Sequence, residues 1–438
     1  MTKATRCESV DATPVSRRRF LGQAGLAAVS LGALERLALS QTQPQSPPCE
    51  DGFSAMKARL AGIAPLTAAD YESRLEKARR LMAAQGLDGL FIGGGTNLAY
   101  FTAVSWWLSE RTFGAVFNRK GAPVWISPAF EKERARELVP AGQEVRTWEE
   151  NESPYRLVAG IMKDLGAGTG RLGLAPDLRS FEVHSLRRDA GSLELADGAA
   201  VTEGCRGVKS AKEIAFMDLA NDITKTAYRD AFTELRPGMS QRDFAAAIGA
   251  SFQKMGVTGG GGPQFGPNTA FPHGSRNPRL TGENDVVMVD GGCAVEGYRA
   301  DVTRTIVFGA PTDKHRRAWD AVKKAQTAAL KAVRPGAECQ DVDRAARRVI
   351  EEAGFGPGYK YFAHRLGHGI GLEGHEYPYL VQGNSLKLEA GMTFSNEPGI
   401  YIYGEFGVRV EDCMVVTEDG GRFLGGLEST AIDKPFGD

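Results

Sequence analysis

Residues 285–308 read DVVMVDGGCAVEGYRADVTRTIVF, and the fold turns on this stretch. Asp285–Val289 and Val302–Phe308 are rich in β-branched residues, which suit a pleated, half-buried surface. The connecting GGCAVEGYRA is rich in turn formers, so the two strands are expected to fold back as a hairpin. Asp290 closes the first strand and Asp301 opens the second, so a hairpin sets both carboxylates at one end. A buried pair of carboxylates without a cation repels itself and is heavily desolvated. A divalent metal ion removes that problem.

Further acids and histidines lie outward from this hairpin. Glu397 sits in TFSNEPGIY (393–401) and Glu411 in GVRVEDC (407–413), both beside apolar β-type segments that can turn them inward. His368 lies in the glycine-rich HRLGHGIGLEGH (364–375), where backbone can approach a site closely. His273, His364, His368 and His375 all sit near these acidic motifs, whereas His184 and His315 do not. Four carboxylates and one imidazole can hold two divalent ions about 3.5–4 Å apart, the spacing of two-metal hydrolases. Oxygen-rich ligation favours Mn(II), with Co(II) or Zn(II) as alternatives. Taken singly, each residue has an ordinary reading: a strand-end Asp caps a turn, a loop His is solvated, Glu411 is a surface charge. The ordered set carries the inference.

The rest of the chain supplies a frame. With 438 residues, two domains plus extras are expected. The hydrophobic share of 42% and charged share of 24% are those of a globular chain, and 53 basic against 54 acidic residues point away from nucleic-acid or polybasic membrane binding. Six scattered cysteines without a C-x-x-C pair exclude a zinc ribbon and a disulfide scaffold, leaving room for one disulfide. Tyr71, Leu75, Ala78, Leu81 and Met82 fall at helical spacing, stopped by Gly86. Strands are expected at 87–92, 115–117 and 124–127, making an α/β domain over 67–200. Helices follow at 212–235, 315–333 and 342–353 within a second domain, 201–438.

At the N-terminus, SRRRFL (16–21) precedes an apolar run to Leu34. That run is shorter than the about 20 residues a membrane span needs. A basic segment, a short apolar segment and Ala38-Leu39-Ser40 as a cleavage site predict a twin-arginine-type signal over 1–40 and a periplasmic or other extracytoplasmic destination. Once cleaved, such a chain keeps no stable membrane association. Residues 41–66, polar and proline-bearing at their start, are expected as a linker.

Taken in order, FPHG (271–274), VDGG (289–292), YRADVTRT (298–305), HRLGHGIGLEGHE (364–376), NEPGIY (396–401) and RVED (409–412) closely resemble the pita-bread metallopeptidases. These include methionine aminopeptidase, Xaa-Pro aminopeptidase and prolidase. RLEKARRLMAAQGLDGLFI (74–92) and TNLAYFTAV (96–104) resemble the N-terminal domain of the aminopeptidase P, prolidase and creatinase branch. The resemblance implies that Asp290, Asp301, His368, Glu397 and Glu411 bind metal, with Asp301 and Glu411 bridging. It implies catalytic or substrate roles for His273, His364 and His375, and a peripheral site role for Arg409. It further implies a homodimer or homotetramer.

The implied reaction is removal of an N-terminal residue from a peptide substrate, with a hydroxide shared by two ions attacking the scissile carbonyl. His375 would stabilise the oxyanion and Glu397 would carry the proton to the leaving nitrogen. Trp106, Trp107 and Phe271 are apolar candidates for a pocket that takes a proline ring, with plain core or dimer packing as the alternative. Some prolidases carry an arginine just after their HEYP-like segment, able to clamp a dipeptide carboxylate. Here Tyr379 stands in that place, and no arginine occurs between His375 and Glu397. The expected activity is therefore an Xaa-Pro aminopeptidase acting on Xaa-Pro-Yaa. The alternatives are a prolidase-like Xaa-Pro dipeptidase and a non-catalytic binding protein on the same fold.

Overall fold

In the computed structural model, residues 50–437 are described. The predicted signal and the first part of the linker lie outside them. Among the described residues, no helix is long and apolar enough to cross a membrane.

Short strands alternating with helices between residues 68 and 207 build a mixed sheet. Its strands are β1 (Gly89–Gly93), β2 (Gly114–Asn118), β3 (Val124–Pro128), β4 (Val145–Trp148), β5 (Arg171–Leu174) and β6 (Glu194–Asp197), in the order β4-β3-β2-β1-β5-β6. β1 runs antiparallel to β2 and parallel to β5. Helices cover both faces, which is why every residue of β1 is buried. The helix Ala199–Gly207 straddles the expected boundary at 200/201. It packs Val201 and Cys205 into the core beneath this sheet, so the first domain runs to about that helix's end.

The linker expectation fails over residues 50–62, which form a helix. Phe53, Met56 and Leu60 recur at i, i+3 and i+7 and pack against the second domain's core, and Arg59 pairs with Asp222 at 2.6 Å. A narrow apolar stripe suffices to dock a helix whose composition is otherwise polar.

The second domain holds β7 (Gly262–Phe265), β8 (Asp285–Gly291), β9 (Ala294–Val295), β10 (Tyr298–Arg299), β11 (Val302–Phe308), β12 (Gly367–Gly369), β13 (Glu376–Leu380), β14 (Thr393–Asn396), β15 (Gly399–Ile402), β16 (Phe406–Arg409), β17 (Asp412–Val416) and β18 (Gly421–Phe423). They form antiparallel sheets ordered β11-β8-β7 and β13-β12-β14-β17-β18, with β9-β10 and β15-β16 as pairs. The predicted hairpin is β8 against β11, with β9-β10 at its tip. Helices Ala211–Phe232 and Gln241–Lys254 pack on one set of strands, and Asp313–Ala332 and Cys339–Glu352 on the other. The first, third and fourth match the expected helices to within a turn, and Gln241–Lys254 was not expected. Of the cysteines, Cys205, Cys293, Cys339 and Cys413 are buried and free, while Cys7 and Cys49 fall outside the described residues.

Candidate metal centre

β11 is the spine of the site. Thr303 pairs with Asp290 on β8, and its carbonyl accepts from the Glu411 amide at 3.2 Å. Asp301 lies just before β11, so Asp290, Asp301 and Glu411 converge from three segments. β12 brings His368 to the same place. Glycines flank it because a Cβ on Gly367 would lie 2.0 Å from the Ser395 carbonyl oxygen, and one on Gly369 2.6 Å from that of Tyr377. The His368 amide donates to Ser395 Oγ at 3.0 Å, and Ser395 Oγ in turn donates to Glu397 at 3.1 Å. Asn396 pairs with Asp412 in β14–β17, which sets Glu397 and Glu411 at the same end of neighbouring strands.

All five predicted ligands come together. Donor atoms of Asp290, Asp301 and Glu411 lie within 4.8 Å of one another, as do those of His368, Glu397 and Glu411 and those of Asp301, His368 and His375. Glu411, Asp301 and His368 are each shared between two such groups. His368 Nε2 lies 3.2 Å from Glu397 and 3.9 Å from Asp301.

The electrostatics are those of crowded acids. Burial, then Asp290, pushes Asp301 up to about 8. Burial, then Asp301 and Glu397, pushes Glu411 well above the carboxylate range. Asp290 Oδ1 is buried and has no hydrogen-bond partner among the described residues. Glu397 goes the other way. Burial would raise it, but its bond to His368 together with the charges of His364, His368 and Arg409 outweighs that and holds it down at about 2. An unpartnered carboxylate oxygen among four acids that share the guanidinium of Arg409 fits a pair of divalent cations.

The neighbouring residues sort differently from the sequence reading. His364 Nδ1 donates to the Arg365 carbonyl at 2.7 Å, and its Nε2 accepts from Tyr401 Oη at 2.8 Å. Both ring nitrogens are thus engaged inside the protein, and Nδ1 also lies 4.0 Å from Glu397. Arg409 is buried. It donates to Asp290 at 2.7 Å, to Tyr401 Oη and the Pro272 carbonyl at 3.0 Å each, and to Thr303 Oγ1 at 3.0 Å. Thr303 passes this on to Glu411 at 2.6 Å. Arg409 thus orients acids, with four of its five N–H groups engaged inside the protein.

His375 is exposed and stacks on His368, ring centroids 3.7 Å apart. Burial first, then His368, depresses its pKa, and His273 acts in the same direction. Arg365 donates to His375 Nδ1 at 3.2 Å, which leaves the proton of the neutral ring on Nε2. The guanidinium of Arg365 also lies 4.2 Å from the centre of the Tyr379 ring. An arginine therefore does stand beside Tyr379, and it comes from upstream. The sequence count missed it by searching only after His375. Tyr401 and Thr303 were missed too, although Tyr401 closes the quoted NEPGIY. Trp106 stacks on Phe113 in the first domain's core, 3.9 Å between centroids, so it is packing and not pocket. Trp107 is exposed, and Phe271 is exposed against Tyr403.

Fold and site define a metal-dependent exopeptidase of the pita-bread class. Comparison with known proteins takes this further: the metallopeptidase family M24 model matches residues 215–418 and the creatinase/prolidase N-terminal domain model matches 74–208. The Xaa-Pro dipeptidase of Lactobacillus helveticus is 34% identical over 352 residues, covering 79% of this chain and 95% of that one. The crystal structure of dipeptidase PepE from Mycobacterium ulcerans superposes with a TM-score of 0.77 at 34% identity, over 83% of this chain and 97% of that one. An X-Pro aminopeptidase from Thermotoga maritima gives 0.65 at 26% identity, over 79% and 97%. The chain belongs to metallopeptidase family M24, in its branch with a creatinase/prolidase N-terminal domain.

Proposed function

We propose that this protein is a dinuclear Xaa-Pro dipeptidase, which replaces the expected aminopeptidase by its alternative. The observation that carries the reading is Arg365, placed against both His375 and Tyr379. A dipeptide ends in a carboxylate directly after the proline ring. Binding that charge in a partly desolvated site needs a cation, and a guanidinium meets it with parallel charge-assisted bonds. The relatives named Xaa-Pro dipeptidase and dipeptidase support the same choice.

Asp290, Asp301, His368, Glu397 and Glu411 would hold two divalent ions, Mn(II) by the oxygen-rich donor set. The ions supply Lewis acidity and lower the pKa of the attacking water. His375 turns its Nε2–H toward the scissile carbonyl and stabilises the charge that develops there. Glu397 would take the proton given up by the attacking water and pass it to the leaving nitrogen, a ring amide with no N–H of its own, as the C–N bond breaks. His273, exposed beside His375, lines the substrate side. Measuring kcat/KM on Xaa-Pro and Xaa-Pro-Yaa for wild type and Arg365→Leu tests the assignment. Hydrogen bonds to charged groups are worth about 1.5–3 kcal/mol, so the variant should lose about 10- to 100-fold more on the dipeptide than on the tripeptide. A wild type faster on the tripeptide returns the aminopeptidase reading.

The reading includes export on the 16–21 arginine motif and a homo-oligomer. The exposed Trp107, Leu108 and Phe130 of the first domain support the oligomer. Replacing Arg17 and Arg18 by Lys should trap a precursor inside the cell, and a fully active monomer in light scattering would rule out the oligomer.

A further inference from the structure

His375 and Glu376 are consecutive, and they face opposite ways: His375 is exposed at the site, Glu376 is buried and begins β13, along which burial alternates. Successive residues of an extended segment point to opposite sides, so whatever fixes one fixes the direction of the other.

Glu376 is held on every side. Its Oε1 accepts from Arg206 Nη2 at 2.5 Å and from the Glu373 amide at 2.9 Å, which closes the 373–376 turn. Its Oε2 faces Lys209 Nζ at 3.3 Å. Arg206 ends the helix Ala199–Gly207 and Lys209 lies two residues past it, so both belong to the connection between the domains. Arg206 also bonds Glu373 at 3.0 Å and, from its other arm, Asn97 of the first domain at 3.0 Å. Gly371 leaves room for this knot, since a Cβ there would sit 2.9 Å from Glu376 Oε2 and 3.0 Å from Lys209 Cε. Lys209 and Glu376 are almost fully buried, with side chains 2% and 4% exposed. Burying an ion pair this deeply is a weak route to stability, because desolvation consumes most of the attraction. A buried pair one residue from a site histidine serves geometry.

We propose that Glu376, clasped by Arg206 and Lys209, is the positioning residue that aims His375 at the reacting carbonyl, so that the seating of the first domain reaches the chemistry through one side chain. The proposal rests on the role given above to His375.

A double-mutant cycle on the metal-loaded enzyme tests it, with an Xaa-Pro dipeptide as substrate. Glu376→Gln keeps shape but sets an amide NH2 against Lys209, where a carboxylate oxygen stood. A misplacement on the ångström scale costs up to about a hundredfold in rate. Glu376→Gln should therefore lower kcat by about tenfold or more, with KM changed less than about threefold and bound metal at the wild-type level. In a His375→Asn background the same substitution should cost less than about twofold, because its effect passes through a ring already gone. An equal loss in both backgrounds overturns the proposal, as does a loss that follows metal content. Should Glu376→Gln not fold, Arg206→Lys runs through the same cycle, and the same two outcomes decide. His375→Asn with wild-type turnover would instead remove the role given to His375, a failure of the reading beneath.

Discussion

Glu411 and Asp412 are consecutive buried carboxylates, and the residues whose side chains donate to them, Thr303 and Arg304, are consecutive too. Glu411 takes a hydrogen bond from Thr303 Oγ1 and has Arg409 Nε at 3.8 Å, against the three acids Asp301, Glu397 and Asp290. Asp412 accepts from Arg304 and Lys225 at 2.8 Å each and from Gln326 at 3.0 Å, and all three donors are buried. The consequence is opposite: crowding and burial push Glu411 up, whereas Arg304 and Lys225 overcome burial and hold Asp412 below the ordinary carboxylate range. Where the fold needs a fixed strut it provides its own cations. One residue away it crowds Asp290, Asp301, Glu397 and Glu411 around the guanidinium of Arg409, and the excess of negative charge is what a metal site requires.

The hardest blow to the acid side of this pair is Asp301→Ala. It removes a donor shared by two ligand groups, and metal-derived stabilisation of the transition state is worth several kcal/mol. We expect a loss of roughly a thousandfold in kcat/KM and of at least one ion, read by steady-state kinetics and elemental analysis. Full metal content with normal turnover would refute the ligand set.

Stability separates the neighbours by sign. Asp412→Asn leaves Arg304 and Lys225 buried without their counter-charge, which costs about 3–5 kcal/mol. Glu411→Gln in metal-stripped protein relieves repulsion and should hold or raise the midpoint of thermal unfolding. If both variants lower that midpoint alike, the contrast is not electrostatic.

The same contrast predicts a pH profile. Asp301 has a folded pKa of about 8, raised from an ordinary 3.8, so the folded chain binds more protons than the unfolded one between those values. Its contribution is fully present below pH 3.8 and is lost as pH rises toward 8. Metal-stripped protein should therefore lose stability across that window, and saturating Mn(II) should flatten the loss. Denaturant titrations from pH 5 to 8, with and without metal, measure it.

Much of this was legible in sequence, for reasons that differ by element. The β8–β11 hairpin declares itself through β-branched runs around a glycine-rich turn, and the five expected ligands lie in order on motifs that resemble those of the metallopeptidase family. What stayed hidden is partnership across distance. No spacing rule connects Arg365 with Tyr379, Arg206 with Glu376, or Asp412 with Lys225, because each contact is set by packing between elements. The helix Glu50–Gly62 stayed hidden for another reason: three apolar residues in a polar segment dock only because the second domain offers a complementary face.

Tyr401 is the finest link between the two kinds of environment, and its removal is the smallest effect predicted. Its hydroxyl accepts from Arg409 and donates to His364 Nε2, the acceptor nitrogen left once Nδ1 donates to the Arg365 carbonyl. Arg409 in turn holds Asp290, and through Thr303 it holds Glu411. Tyr401→Phe keeps the ring and deletes both bonds, leaving one Arg409 donor and one histidine nitrogen unpartnered. Arg409 retains its bonds to Asp290, Thr303 and Pro272, so the acids stay in place and metal content should not change. His364 loses its anchor, and with it the main chain that carries Arg365 loosens. A neutral hydrogen bond contributes about 1 kcal/mol, so about a fivefold loss is expected. It should fall mainly on KM for the dipeptide, since Arg365 is the group displaced. A loss confined to kcat, or one accompanied by missing metal, would place Tyr401 with the acids instead of with the carboxylate-binding arginine.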